Sequence, residues 1–305
     1  MEFEILFDCA FSEISLDQSL TPIDKKFSAS FLNDFEDGQW RYSKFQSFIW
    51  DNIAETSLSC KERESLVNHS LLVAAAKNLR LTDSDKEDIG RGSELAEIVL
   101  YGLMKHHYHA LPVVPKIFYK QNAQDNAKGA DSVHIVLEPN DSFSIWFGEA
   151  KFYNSIEDAR LLSIVTSVEN SLKTDKLKKE NAIITNVRDI DDLILEESVR
   201  EKIKKTLSNR ASIDELKPKL HIPILIMHEC EITKNATQLD EKYKNEILSF
   251  HYDRATSYFK KQIKSLNNSV HLYSDITFHI ILFPVPSKEK IVNKFVANVQ
   301  HYKDQ

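Results

Sequence analysis

The sequence predicts an α/β fold, a mixed β-sheet flanked by helices, and two observations carry that reading. Apolar residues recur at helical spacing in several long segments. Between them lie short runs with strand periodicity, two of which are joined by turn-forming residues. The chain has 305 residues, 42% of them hydrophobic, which is enough to build a substantial core. Only 6 Gly and 8 Pro are spread along it, and no Gly/Ser-rich or Pro-rich linker interrupts it, so one integrated body is expected.

Taken in order, Phe3 to Phe11 reads as a strand, and the remainder of residues 1–85 as mostly helical, with Trp40 to Ile53 and Leu66 to Leu79 the clearest helices. From Gly90 the pattern becomes helix, strand, strand, strand, helix, strand. Ser93 is a candidate N-cap for a helix over Glu94 to Met104. Strands are expected at Val113 to Lys120, Ser132 to Leu137 and Phe143 to Phe152. A helix follows from Ile156 to Leu172, then a strand from Ala182 to Val187. The last third alternates a helix (191–207), a strand (Ile222 to His228), a long helix (240–264), a strand (Val270 to Phe283) and a helix from Lys288. The organisation so predicted is an extension over 1–85, a core over 86–190 and a C-terminal α/β extension over 191–305 packed on the core.

No run approaches the roughly 20 apolar residues of a membrane-spanning helix, and the first residues lack a basic segment followed by an apolar one. A soluble, cytoplasmic protein with no membrane partner is expected. Cys9, Cys60 and Cys230 lack C-x-x-C spacing, which argues against a disulfide framework and a cysteine zinc site. No phosphate-binding G-x-x-x-x-G-K-[ST] loop and no G-x-S-x-G elbow occurs, so ATP use would belong to a partner. The net charge of −7 runs against an autonomous DNA binder and suits a chain with a locally basic site, or one whose nucleic acid is delivered by a partner.

The chemistry is read from two strands. Asp131, Val133, Ile135 and Leu137 share one parity, as do Phe143, Ile145, Phe147, Glu149 and Lys151, and Pro139-Asn140-Asp141-Ser142 between them favours a turn. An antiparallel hairpin with one buried face naturally pairs Leu137 with Phe143, Ile135 with Ile145 and Val133 with Phe147, although a slip of two residues would keep the same face and a bulge could alter the details. The next pair is Asp131 with Glu149, their Cβ atoms about 4.5–5.5 Å apart. Lys151 projects from the same face. Two adjacent carboxylates repel unless a cation lies between them. Oxygen ligands suit Mg2+ or Mn2+, and a metal with an ammonium beside it points to phosphodiester hydrolysis. Acid-x-Lys triplets are common, as Asp24-Lys25-Lys26, Glu215-Leu216-Lys217 and Asp240-Glu241-Lys242 show. Glu149-Ala150-Lys151 differs in ending an apolar strand opposite a second acid.

A helix bearing an acid, then three strands with Asp131 on the second and Gly148-Glu149-Ala150-Lys151 on the third, then a helix and a strand, over about residues 88–188, resembles the restriction-endonuclease-like PD-(D/E)xK nuclease core; the position where that family often has Pro is Ala130. Arg91-Gly92-Ser93-Glu94-Leu95-Ala96-Glu97, Gly129-Ala130-Asp131-Ser132-Val133-His134 and Trp146 to Tyr153 further resemble the HamA family of nuclease subunits from Hachiman antiphage systems. The resemblance implies a metal-dependent DNA endonuclease held in check by a HamB-like helicase. Such cores often carry a further metal-site acid on the first helix, which makes Glu94 a candidate metal ligand and Glu97 a second choice. Glu94 also has an ordinary explanation near a helix N-terminus.

Other features have structural readings beside functional ones. His106, His107 and His109 could suggest zinc, but with Lys105 they complement a helix C-terminus. His134 has the parity opposite to Asp131 and is expected to pack. Lys120 and Lys128, in the loop before Asp131, could contact phosphates, and Lys173, Lys176, Lys178 and Lys179 could track DNA or simply solvate a surface. The rival class is a catalytically inactive nuclease-fold module acting as a regulatory or interaction subunit. RNA and DNA substrates are not separated by this chemistry.

Overall fold

A computed structural model describes residues 3–15, 17, 19–81, 92–119, 129–140, 142–186, 189–194, 196–208 and 210–305. Nine strands are present among them: β1 (Glu4–Ala10), β2 (Lys26–Leu32), the short β3 (Phe35–Glu36) and β4 (Gln39–Trp40), β5 (Leu111–Val114), β6 (Ser132–Glu138), β7 (Ser142–Tyr153), β8 (Leu220–Glu229) and β9 (Thr277–Val285). Apart from the β3–β4 pair, all join one seven-stranded sheet in the order β1-β2-β9-β8-β7-β6-β5. β2, β9, β8 and β7 run parallel to one another, while β1 at one edge and β6 and β5 at the other are antiparallel to their neighbours. The predicted mixed α/β class is the observed one, and the sheet draws strands from all three predicted segments.

Both faces of the sheet are covered, as near-continuous apolar strands such as Ile222 to Met227 require. On one face Val133, Ile145, Phe147, Ile224, Ile280 and Leu282 pack against helices Asp158–Ser171 and Glu241–Ser269. On the other, Trp146, Ala150, Phe152, Leu225 and Phe283 meet helices Tyr42–Ser57, Ser93–His106 and Lys288–Lys303. The site described below lies on the first face and helix Ser93–His106 on the second.

Four sequence expectations are corrected. The strand expected at 182–187 is helical, belonging to helix Thr174–Asn186, and Val187 lies outside the described residues. The strand flanking β7 is instead β8, from the C-terminal third. The strand expected over Val113 to Lys120 ends at Val114, because Pro115 has no N–H for the ladder and is followed by a helical turn, Lys116–Tyr119. Ser93 is the first helical residue rather than the N-cap; Gly92 holds the cap position at φ 93°, a left-handed conformation that glycine adopts without a Cβ clash. The N-terminal segment also contributes β2, inserted between β1 and β9, in a stretch expected to be mostly helical after Phe11.

A buried polar chain ties β2, β8 and helix Glu241–Ser269 together. The Ser30 hydroxyl lies 2.7 Å from His251 Nδ1, His251 Nε2 lies 3.0 Å from His228 Nε2, and His228 Nδ1 lies 3.2 Å from the Glu229 carbonyl. A carbonyl only accepts, so His228 donates from Nδ1, His251 donates to His228 from Nε2, and Ser30 donates to His251. Adding a proton to His228 would set two N–H groups face to face. Burial pushes His228 to about 4 and His251 well below the ordinary histidine value of 6.5. His134, buried on β6 against the Tyr101 ring, is pushed to about 3. These groups are neutral when folded and bind protons when unfolded, so their contribution to stability is full above 6.5 and is lost as pH falls through about 4. The melting temperature is expected to fall steadily over that window in thermal denaturation. A flat profile across it would contradict the neutral buried histidines.

Candidate active site

The β6–β7 ladder runs unbroken from Glu138↔Ser142 to Ser132↔Gly148, with Val133↔Phe147, Ile135↔Ile145 and Leu137↔Phe143 as predicted. That register carries Asp131 to the level of Glu149. The Asp131 N–H donates to the Gly148 carbonyl at 2.7 Å, and the Asp131 carboxylate Oδ2 accepts the Ala150 N–H at 3.1 Å. The side chain thus takes over a bond that the ladder would otherwise make, which fixes the carboxylate against β7.

Lys151 Nζ lies 2.5 Å from Glu149 Oε1 and 3.5 Å from Asp131 Oδ2, so one ammonium faces both acids. The Ser167 hydroxyl, from helix Asp158–Ser171, donates to the same Glu149 oxygen at 2.6 Å. Glu149 is 6% exposed, while the side chains of Asp131 and Lys151 retain 18% and 24% exposure. The cluster is therefore walled by protein on the Glu149 side and open at Asp131 and Lys151.

Burial is the largest influence on Glu149 and raises its pKa above the ordinary carboxylate value; the Asp131 charge adds to this, and Lys151 and Ser167 oppose it. For Lys151 burial acts in the opposite sense, but the charges of Asp131 and Glu149 and the bond to Glu149 outweigh it and raise the ammonium's pKa above its usual value. Lys151 therefore stays protonated at neutral pH. It can orient a polar group or oppose negative charge, and it has no lone pair with which to accept a proton.

The other candidates lie elsewhere. Glu94 Oε1 and Oε2 accept the backbone N–H groups of Arg80 and Leu81, each at 2.9 Å, on the opposite side of the sheet from the Glu149 side chain. Glu97 is buried on that same helix beside Tyr101. His106 pairs with Asn52 and His107 with Asp8, so the histidine-rich helix end is tied to the N-terminal segment. Among the described residues no group of three or more His, Cys, Asp or Glu side chains is placed to hold a metal ion. Lys120 and Lys128 lie outside the described residues.

The HamA family profile matches residues 7–299, nearly the whole chain, with Asp131, Glu149 and Lys151 inside the match. The chain belongs to the HamA family. Membership implies a nuclease-like role in Hachiman antiphage defence. No curated protein matches the chain. None of the helices of this HamA protein is long and apolar enough to cross a membrane, among the described residues.

Two residues around the HamA site escaped sequence reading. Ser167 sits on a helix whose only visible signal was its apolar stripe. Glu180, considered further below, is hidden in the basic run of helix Thr174–Asn186. That helix buries Leu177, Glu180, Asn181 and Ile184, an i, i+3, i+4, i+7 stripe with two polar members, which is why Ala182-Ile183-Ile184 looked like a strand by itself.

Since Lys151 is what compensates two carboxylates, Lys151→Met should lower metal-free stability by about 1–3 kcal/mol. Mn2+ should then raise the melting temperature by more than in the unmodified protein. An unchanged melting temperature in calorimetric scans would mean that the lysine does not balance this pair.

Proposed function

We propose that this HamA protein is a Mg2+- or Mn2+-dependent DNA endonuclease, the effector of an antiphage system, controlled by a helicase partner. The observation that supports it best is the convergence of Asp131, Glu149 and Lys151 at one end of a sheet face, open to solvent on the Asp131 and Lys151 side. The donor set fits a hard divalent cation. Mg2+ characteristically takes one or two carboxylates and completes its octahedron with water and phosphate oxygens, so the lack of a third acidic ligand among the described residues is compatible with it. Asp131 and Glu149 would hold the ion. When bound, it would act as a Lewis acid toward a phosphodiester and lower the pKa of a water.

The chain's own residues define the rest. The Ala150 N–H and Ser167 hydroxyl fix one oxygen of each carboxylate, so the pair is oriented before any ligand arrives. Lys151, held cationic, would stabilise charge that develops on the phosphate oxygens and orient the attacking water. Glu94, proposed as a third ligand, would first have to release the Arg80 and Leu81 amides. Delivery of DNA by a helicase would suit the net charge of −7.

A second reading, a catalytically silent nuclease-fold module, has one observation behind it. Lys151 already pairs with both acids, so part of their mutual repulsion is offset by the chain's own ammonium.

Incubation with supercoiled plasmid separates the two readings. The proposal predicts cutting that requires Mg2+ or Mn2+, stops with EDTA, and falls at least about 100-fold in a folded Glu149→Ala/Lys151→Ala protein. Cutting that persists in that variant would place the active site elsewhere. If neither protein cuts, with or without the helicase, and divalent ions leave the melting temperature unchanged, the silent module stands. Because Glu149 takes up a proton more readily than an ordinary carboxylate, cutting should weaken on the acid side. Ser167→Ala removes a bond to the charged form, so the acid limb of the pH–rate profile should move to higher pH.

A further inference from the structure

Asp131 follows a segment whose backbone is gripped from the side opposite β7. Glu180, on helix Thr174–Asn186, accepts the Ala130 N–H through Oε1 at 3.1 Å. Its Oε2 accepts from Lys116 Nζ at 2.6 Å, in an ion pair whose side chains are 4% and 0% exposed. Gly129 belongs to the same arrangement. A Cβ at that position would fall 1.6 Å from Glu180 Oε1, so the carboxylate occupies the space that any side chain at 129 would need.

We infer that Glu180, held by Lys116, is a positioning residue for Asp131: it anchors the Ala130 amide so that the Asp131 carboxylate is presented to Glu149 and Lys151. Two consecutive amides enter the start of β6 already bonded, Ala130 to Glu180 and Asp131 to Gly148. The backbone on the N-terminal side of Asp131 is thereby held by a helix as well as by the sheet. This accounts for Gly129 and for a residue other than proline at 130, since proline has no N–H to offer Glu180. A buried carboxylate between Leu177 and Ile184 on the helix's inner stripe would otherwise be costly. Lys116 and the Ala130 amide are the groups that compensate it.

The inference rests on the metal-dependent reading of Asp131 and Glu149, and its test separates the two. Two double variants remove the buried charges together, so neither leaves a lone buried ion. Glu180→Gln/Lys116→Met keeps an oxygen that can accept from Ala130, and Glu180→Ala/Lys116→Met does not. Mn2+ affinity by calorimetric titration should stay near the unmodified value in the glutamine variant and fall about 10- to 100-fold in the alanine variant, at matched circular dichroism. Equal affinities in the two folded variants would reduce Glu180 to a packing residue and overturn the inference. Amide exchange at Ala130 reads the contact itself and needs no metal. Strong protection in the unmodified protein supports the anchor, and rapid exchange there overturns it whether or not the alanine variant folds. An unmodified protein that protects Ala130 but binds no Mn2+ would sink the metal reading and leave the Glu180 anchor standing.

Discussion

The β6–β7 ladder pairs in a register that puts its apolar residues on one face, and the candidate site depends on that pairing. Strand side chains alternate with period two, so a shift by one residue would turn Val133, Ile135, Ile145 and Phe147 out of the core formed with helices Asp158–Ser171 and Glu241–Ser269. The same register brings Asp131 level with Glu149 and sets Lys151 beside them. Hydrophobic burial over the hairpin thus positions charged groups at its end: it fixes side by side two carboxylates that would otherwise move apart.

Holding like charges together in a partly buried place is unfavourable, and the structure offsets it with specific partners. Lys151 faces both acids, Ser167 donates to one, and a backbone amide donates to the other. The raised pKa of Glu149 shows that the compensation is incomplete. That residual strain is what would make a cation welcome, and sites tuned in this way are candidates for chemistry. The parallel strands β8 and β9 matter because they bury β7 from its other edge; Glu149 and Lys151 lie beside Ile224 and Ile226 of β8. The C-terminal third is therefore part of the frame that holds the site.

The hairpin was legible because parity, turn residues and a single apolar face agree over Asp131 to Lys151. The elements that failed share a different cause. Helix Thr174–Asn186 was missed where its buried stripe carries Glu180 and Asn181, since a periodicity test registers apolar positions and these are polar. β2 was missed because its central residues, Ser28, Ala29 and Ser30, are small or hydroxylated; their burial comes from pairing with β1 and β9, far away in sequence. Glu94 was a candidate metal ligand through the family resemblance. Which backbone amides would lie against its carboxylate is a tertiary fact that spacing does not contain.

The account's central claim is that Asp131 and Glu149 form one divalent-cation site. Calorimetric titration of Mn2+ into the unmodified protein and into Asp131→Asn, near neutral pH, tests it most directly. The account predicts saturable binding in the first and its loss in the second, with both proteins folded. Equal binding by the two, or none by either, would contradict it.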